Sequence, residues 1–259
     1  SELVQNGNFS ELGSELVTNG DFSNGLSNWS VNGGSYAQVT DGVLISDNSD
    51  NGSWFAEYIG QNISFVNGKT YKITFRAKNL DGDLNLRLTQ NSNIIFTQNI
   101  TSQFADYIVY YIANADNGSI RIFCNDAVGK FAIDNVSVKQ VDPNDRWTKG
   151  IGWSINDGKA VSVGGGDFAS FNQDISAVTG KTYKITFTIL DFESGQLFVN
   201  LQGSSTTYTS SGTYTLYLAA SGSKLYFVSG GSGNNFVGKI DNISVVEVQG
   251  DRPRLSYDI

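Results

Sequence analysis

The sequence predicts an all-β protein made of two tandem antiparallel jelly-roll β-sandwich domains. Apolar and polar residues alternate in short runs, and turn-forming pairs such as NG, DG, SG and GG separate these runs. We find no segment with the 3.6-residue apolar period of an amphipathic helix. A third observation, an internal repeat, sets the number of domains.

Three segments recur in the same order, which indicates two copies of one domain. The recurring pairs are GKTYKITFRAKN (68–79) with GKTYKITFTILD (180–191), IDNVSVKQV (133–141) with IDNISVVEV (240–248), and NWSVNGG (28–34) with GWSINDG (152–158). We place the first module at 14–141 and the second at 142–249, followed by a C-terminal linker at 250–259. Pro143 and Pro253 come just after the last strand of each copy, where a proline does not interrupt a ladder.

The first residues contain a further, shorter repeat. ELVQNGNFS (2–10) returns as ELVTNGDFS (15–23), where it starts the first module. We interpret residues 1–13 as a duplicated opening strand or a linker. The second module lacks such an opening, so its first strand is predicted to be shortened, shared with the exit strand of the first module, or supplied from elsewhere.

Within each copy the alternation separates an inner face from an outer face. In YKITFRA (71–77) the apolar residues take every second position, and Lys72, Thr74 and Arg76 take the positions between them. The runs LNLRLTQ, SIRIFCN, GQLFVNLQ and SKLYFVSG alternate in the same way. Roughly eight such strands fit into each copy, which is typical of a jelly roll.

Composition and charge exclude several functions. The formal net charge is −8, so we expect no nucleic-acid partner, because phosphate binding needs clustered Lys and Arg. The chain has no histidine, which removes Ser-His-Asp and Cys-His catalysis, and we expect no enzyme. Cys124, the single cysteine, is predicted to be a small buried side chain. No apolar run is long enough for membrane insertion, and the absence of methionine indicates an excerpt of a longer protein.

Three motifs carry a resemblance to a known family. LVTNGDFSNGLSNW, GKTYKITFRAK and AIDNVSVKQV resemble the carbohydrate-binding modules of families 4 and 9. The resemblance covers most of the first copy, and the second copy from Trp153 onward. It implies a jelly-roll sandwich that binds a polysaccharide or a cell-surface glycan without catalysis.

A weaker resemblance concerns the setting of the modules. DRWTKGIGWSI and DRPRLSYDI are similar to linkers in phage tail and other virion proteins, where such modules occur in tandem. This implies an extracellular adhesion role on a virion, with other virion proteins as further partners. The alternative is a purely structural spacer or decoration domain of a virion fibre that contacts only protein neighbours.

Sugar binding by a sandwich needs exposed aromatic rings with polar groups beside them. In the first copy, Trp54 and Tyr58 point outward if Phe55 and Ile59 point inward, and they then lie about 13 Å apart. Glu57 needs a bulge to join them. The alternative is that these aromatic residues cover a sheet edge or a domain contact. Other outward candidates in this copy are Arg76, Asn85, Arg87 and Arg121.

The second copy offers a different set of outward residues, so it is predicted to bind something else or nothing. Phe168 is the outward aromatic residue of GDFASFNQDI, and further candidates are Phe198, Asn200, Gln202 and Tyr226. Trp29 and Trp153 take matched positions in the repeat and are predicted to fill the two cores.

The family resemblance also implies a structural calcium ion, held by oxygen ligands. Asp134 and Asp241 occupy the same place in the repeat, and Asn19 and Asp21 lie in the opening turn. Ser23 stands where many relatives carry Glu, which weakens the site. The alternative is that Asp134 caps a turn or accepts backbone N–H bonds. For the second copy, Asp142 or Asp145 could complete the ligand set.

Overall fold

A computed structural model describes residues 1–32, 36–47, 58–81, 84–124 and 129–248. These residues form β-strands, turns and loops and contain no helix, so the all-β prediction is confirmed. Among them, no helix is long and apolar enough to cross a membrane. The chain divides into two compact units, which we call module 1 (residues 12–141) and module 2 (residues 1–11 and the chain from residue 142).

Module 1 is a sandwich of two antiparallel sheets. One sheet has the order β3-β4-β11-β6-β9, with β1 also paired to β11, and the other has the order β2-β5-β10-β7-β8. The strands are β1 (Leu12–Glu15), β2 (Ser30–Asn32), β3 (Tyr36–Thr40), β4 (Val43–Asp47), β5 (Tyr58–Asn62), β6 (Thr70–Asn79), β7 (Leu84–Gln90), β8 (Asn93–Ile100), β9 (Ala105–Ile112), β10 (Ser119–Cys124) and β11 (Lys130–Val141).

Module 2 repeats this architecture. Its sheets have the orders β13-β14-β21-β16-β19 and β12-β15-β20-β17-β18. The strands are β12 (Thr148–Lys149), β13 (Trp153–Asn156), β14 (Lys159–Val163), β15 (Ser170–Asp174), β16 (Thr182–Ser194), β17 (Leu197–Asn200), β18 (Thr206–Tyr208), β19 (Gly212–Ala219), β20 (Lys224–Ser229) and β21 (Val237–Glu247).

Residues 1–11 belong to module 2, so of the two interpretations given for residues 1–13 the duplicated opening segment fits and the linker does not. Glu2 forms a bridge with Val246 of the last strand of module 2, and Phe9 is buried beside Trp147 at a ring distance of 5.5 Å. Of the three origins considered for the first strand of module 2, the structure shows supply from elsewhere in the chain. Module 1 is therefore inserted between residues 11 and 142 of module 2.

The two opening segments, 2–9 and 15–22, make the same contacts in their own modules. The Glu2 carboxylate accepts the backbone N–H of Val245, and the Glu15 carboxylate accepts that of Val138, both at 2.8 Å. Gly7 and Gly20 lie so close to the last strand that a Cβ would stand 2.1 and 2.0 Å from a backbone oxygen. Glycine is therefore required in both copies.

The insertion point explains how one module fits inside another. Leu12 pairs with Val141, so the first and last residues of module 1 are neighbours in one sheet. Immediately outside them, the Asp142 N–H donates to the Glu11 carbonyl at 3.0 Å within module 2. A domain whose ends lie together can be inserted into a loop of another domain without distorting it.

Alternation places the core between the two sheets of each module. In module 1 the inward residues of β6 and β10, such as Phe75 and Ile122, are buried, and so is Cys124, as predicted. The repeated tyrosines Tyr71 and Tyr183 are buried as well, and their hydroxyls accept the N–H of Val66 and Val178 at 2.8 Å. Burial of Tyr71 raises the pKa of its hydroxyl.

The tryptophan pairing from the repeat is wrong, although both residues are buried as predicted. Trp29 donates its indole N–H to the Asn19 carbonyl at 2.9 Å, and the equivalent bond in module 2 runs from Trp147 to Asn6 at 3.0 Å. Trp147 is thus the counterpart of Trp29, while Trp153 opens β13. The short match between NWSVNGG and GWSINDG pointed to Trp153 instead. The residue that Trp147 bonds, Asn6, lies at the N-terminus, so no nearby sequence identified Trp147 as the counterpart of Trp29.

Candidate functional site

One outer surface of module 1 brings several predicted residues together. We call it the arginine face; it is the solvent side of the sheet β2-β5-β10-β7-β8, around Tyr58, Arg87 and Arg121. Inward residues of the same strands, such as Ile59 and Ile122, fill the core, so the residues between them must point outward. Alternation in the sequence is sufficient to predict this.

Tyr58 and Arg121 form the centre of the arginine face. The Arg121 guanidinium lies over the Tyr58 ring, with its carbon 4.6 Å from the ring centroid. Gly60 separates them in the sheet, because it pairs with Arg121, and a Cβ there would stand 3.1 Å from the Tyr58 ring. The absence of a side chain at position 60 lets the tyrosine ring lean towards the arginine.

Arg87 and Phe123 complete the face beside this pair. Phe123 is opposite Arg87 in the β10–β7 ladder and is almost fully buried, although alternation places it on the outer side. Together with Thr89 and Ile94, these residues line a pocket of about 140 Å³. Phe123 and Ile94 were not among the candidates predicted from the sequence. The signal that could have identified them is the alternation of their strands, which places both side chains on the outer face.

The buried guanidinium nitrogen of Arg121 marks the face as a polar site. Its Nε atom is shielded from solvent and has no hydrogen-bond partner among the residues that the structure describes. A buried polar group without a partner is costly, and the cost is removed when a ligand supplies an acceptor. Further along the face, Asn85 is held by Asn99 at 3.0 Å and by Thr97 at 2.7 Å.

Of the other predicted residues of module 1, one lies on a different sheet and two fall outside the described residues. Arg76 is on β6, in the opposite sheet, where its guanidinium stacks on Phe104 at 4.7 Å. Alternation had correctly placed Arg76 outward, but it could not tell which sheet would carry it. Trp54 and Glu57 lie outside the described residues, and their part in sugar binding stays a prediction.

The equivalent surface of module 2, which we call the aromatic face, has different chemistry. In the paired register, Tyr226 occupies the place of Arg121 and Phe198 that of Arg87, because each faces the same neighbouring strands. Both side chains are half-buried. Phe168 lies just before β15, with 64% of its surface exposed and its ring against Gly231.

The predicted calcium ligands Asn19, Asp21, Asp134 and Asp241 each make hydrogen bonds to residues near them in the sequence. Asn19 donates its amide to the carbonyls of Gly25 and Ser27, both at 2.9 Å, and Asp21 accepts the N–H and hydroxyl of Ser23. The Ser23 N–H, followed by its hydroxyl, lowers the pKa of the Asp21 carboxyl.

Asp134 and Asp241 each accept the N–H of the next residue at 2.7 Å, which is the alternative considered for Asp134. In the described part of the chain, no group of three or more Asp, Glu, Cys or His side chains could hold a metal ion. The Asn19 amide turns its N–H groups, not its oxygen, towards the nearby carbonyls. This arrangement lends no support to the calcium ion, which stays a prediction.

Comparison with known proteins places the fold. Residues 14–120 match the family model CBM_4_9, described as a carbohydrate binding domain. Among solved structures, the chain is similar to the CBM22-1–CBM22-2 tandem domain of Paenibacillus barcinonensis Xyn10C, with 12% identity, a TM-score of 0.45, and coverage of 93% of this chain and 92% of that one. A search of curated proteins found no match.

Two further solved structures align with about half of this chain. A CBM4 structure is 16% identical with a TM-score of 0.39, over 46% of this chain and 99% of that one. The enzymatically active domain of bacteriophage CBA120 tailspike protein 4 is 19% identical with a TM-score of 0.37, over 49% of this chain and 21% of that one. The family match covers module 1 from residue 14 to residue 120, and it ends within β10, just before Arg121. Over residues 14–120, module 1 is therefore similar to the carbohydrate binding domains of this family model.

Proposed function

We propose that module 1 binds a polysaccharide or cell-surface glycan, without catalysis, on the arginine face. The observation that carries this proposal is the convergence of Tyr58, Arg87 and Arg121 around one pocket of about 140 Å³. The family match over residues 14–120 supports the ligand class, and the geometry supports the location.

The chemistry of these residues suits a sugar ring. The C–H surface of a pyranose packs on an aromatic face, and Tyr58 supplies a half-buried ring at the rim of the pocket. A guanidinium offers several N–H donors in a planar fork, which matches two neighbouring hydroxyl oxygens. The Arg121 guanidinium already lies over the tyrosine ring, so little side-chain freedom is lost on binding.

The pocket is small, so it fits one sugar unit of a chain that continues across the sheet. Trp54, which alternation predicts to point outward, would extend the surface on the Tyr58 side, and Glu57 would join it if the segment contains a bulge. The row of Asn85, Thr97 and Asn99 extends it on the other side with hydrogen-bonding groups. Both extensions are part of the proposal.

The setting of the protein is also part of the proposal. The similarity of the linker sequences to those of phage tail proteins favours an extracellular role in virion adhesion, with other virion proteins as neighbours. The alternative is a spacer or decoration domain of a virion fibre without a glycan ligand. A glycan array probed with the whole chain separates the two, because a spacer predicts no coherent set of hits.

The site itself is tested by two matched arginine variants. Arg121→Ala should weaken binding of an array hit at least about tenfold, the effect of losing one charge-assisted hydrogen bond. Arg76→Ala is the control, since Arg76 is also stacked on an aromatic ring at 4.7 Å but lies on the opposite sheet. Equal affinity of Arg121→Ala and wild type by calorimetric titration would contradict the assignment.

A further inference from the structure

The opening segment of module 2, residues 2–9, is held largely through its own backbone. The buried Gln173 side chain clamps Gln5 with two bonds at 2.8 Å, because it accepts the Gln5 N–H and donates to the Gln5 carbonyl. The Gly7 carbonyl accepts the Ile243 N–H at 3.0 Å. These contacts recognise a segment with a glycine at one fixed place, and none of them depends on a covalent link to it.

Module 1 recognises its own opening segment, residues 15–22, in the same way. The buried Gln61 side chain bonds to the N–H and the carbonyl of Thr18 at 2.7 and 2.8 Å. The Gly20 carbonyl accepts the Val136 N–H at 2.9 Å. The covalent routes differ, because this segment continues directly into its module, whereas the segment of module 2 is followed by the whole insert. Each site therefore recognises the segment itself and not its connection.

The apolar side chains of residues 2–9 complete the core of module 2. Val4 and Phe9 are buried, and the Phe9 ring lies 5.5 Å from the ring of Trp147 and 5.7 Å from that of Phe171. Release of the segment would expose these rings to water, which is unfavourable. A module 2 that has released its own segment is therefore driven to take up another segment of the same shape.

The junction between the two modules has no spare residues. The Glu11 carbonyl accepts the Asp142 N–H at 3.0 Å in module 2, and the next residue, Leu12, pairs with Val141 in module 1. Asp142 has a φ of 51°, in the left-handed region that is uncommon for residues with a side chain. Short, constrained hinges favour exchange of a segment between two copies, because an extended hinge releases the constraint.

We propose that two copies of this chain exchange residues 1–11, so that the opening segment of one copy completes module 2 of the other. The contacts of the segment are then made again across the two copies, and only the junction changes its course. The balance between the closed monomer and the exchanged dimer is set by the protein concentration and by the junction. The partner is a second copy, and the part of it that is recognised is ELVQNGNF.

A pair of new cysteines gives a covalent readout of the exchange in the full chain. Glu2 and Val246 form an antiparallel bridge. The Cα atoms of such a pair lie about 4.5–5.5 Å apart, within the range of about 4.4–6.8 Å that a disulfide spans. The variant with Glu2→Cys and Val246→Cys is unfolded in denaturant, refolded at a series of protein concentrations, and oxidised only afterwards, when Cys124 is buried.

The exchange predicts a disulfide-linked dimer on denaturing gels that thiol reduces to monomer. While the dimer is the minor species, a tenfold higher concentration during refolding should raise the ratio of dimer to monomer about tenfold. Internal disulfides alone at the highest concentration would overturn the proposal.

The matched control is the variant with Glu15→Cys and Lys139→Cys, the equivalent pair of module 1. Leu12, just before this opening segment, is already paired with Val141 of the same module, so the segment is anchored on both sides. The control pair should form internal disulfides at every concentration. An equal share of linked dimer from the control pair would also overturn the proposal, since the cross-linking would then be unspecific.

A second measurement keeps the opening segment intact, because Glu2→Cys removes the carboxylate that binds the Val245 N–H. The wild-type chain, refolded at high concentration, should give a dimer by light scattering. Insertion of Gly-Ser-Gly-Ser between Glu11 and Leu12 should reduce the share of dimer several-fold, because a longer flexible hinge closes without strain. No dimer, or a share that the insertion does not lower, would contradict the exchange. The arginine face takes no part, so the proposed function is tested separately.

Discussion

Modules 1 and 2 share a scaffold and differ on one outer face. Inward positions of the paired strands keep apolar residues, as with Ile122 in module 1 and Phe227 at the equivalent place in module 2. Outward positions change in chemistry, since Arg121 is replaced by Tyr226 and Arg87 by Phe198. Core positions are constrained by packing and outer positions are not, so one fold can present two outer faces of different chemistry.

In the two opening segments, by contrast, the modules are similar in sequence. Residues 2–9 and 15–22 keep almost the same sequence although one is separated from its module by the whole of the other. Each segment contributes a buried phenylalanine, Phe9 or Phe22, and a glycine pressed against the last strand. The requirement is structural, so it does not depend on where the segment lies in the chain.

The largest expected effect is deletion of residues 1–11. Module 2 should lose its cooperative fold, because Val4, Phe9 and the bonds to Gln173 are removed together. Loss of one buried phenylalanine side chain already costs about 3–5 kcal/mol, against a typical domain stability of about 5–15 kcal/mol. In ¹H–¹⁵N spectra, signals of module 2 should lose dispersion and those of module 1 should keep it.

A peptide of residues 1–11 added to the truncated chain provides the control, since it should restore module 2 signals. Dispersed module 2 signals in the truncated chain without the peptide would show that the opening segment is dispensable.

A matched pair of point variants should give the next largest effect. Phe9→Ala should destabilise module 2, and Phe22→Ala should destabilise module 1, each by about 3–5 kcal/mol, because each ring is at most 2% exposed. Calorimetry of the whole chain would show which unfolding transition moves. If both variants lower the same transition, the assignment of the two segments to different modules is wrong.

Much of the fold could be predicted from the sequence, because β alternation and turn residues are local signals. Alternation predicted the outward positions of Tyr58, Arg87 and Arg121. Together with the internal repeat, it also predicted the presence of two sandwiches. Alternation does not say which sheet a strand joins, and for this reason Arg76 was grouped with residues on the other side of the module.

Contacts between distant residues were the part that sequence patterns could not supply. Trp147 bonds to Asn6, 141 residues away, so the nearer tryptophan Trp153 looked like the better match for Trp29. The bonds between Gln5 and Gln173 were missed for the same reason, because the insertion of module 1 separates the two residues by 168 positions in the sequence.

The smallest expected effect concerns an exposed ion pair of module 2. The bond from Lys239 and the charge of Lys239 lower the pKa of the Asp191 carboxyl. A lowered folded-state pKa stabilises the fold above the unfolded pKa of Asp, and this contribution is lost as the pH falls through the folded value. Asp191→Asn should slightly lower the melting temperature near neutral pH, and this difference should vanish in acid and shrink in high salt. A difference that persists in acid would contradict the assignment to charge.

The most direct test of the central claim is to map a glycan from the array onto the ¹⁵N-labelled chain. We expect saturable shifts at the Arg121 Nε–H and at the backbone of β5 and β10, with the signals of the residues around Arg76 and Phe104 unchanged. Shifts confined to the sheet that carries Arg76, with β5 and β10 silent, would contradict the placement of the glycan site on the arginine face.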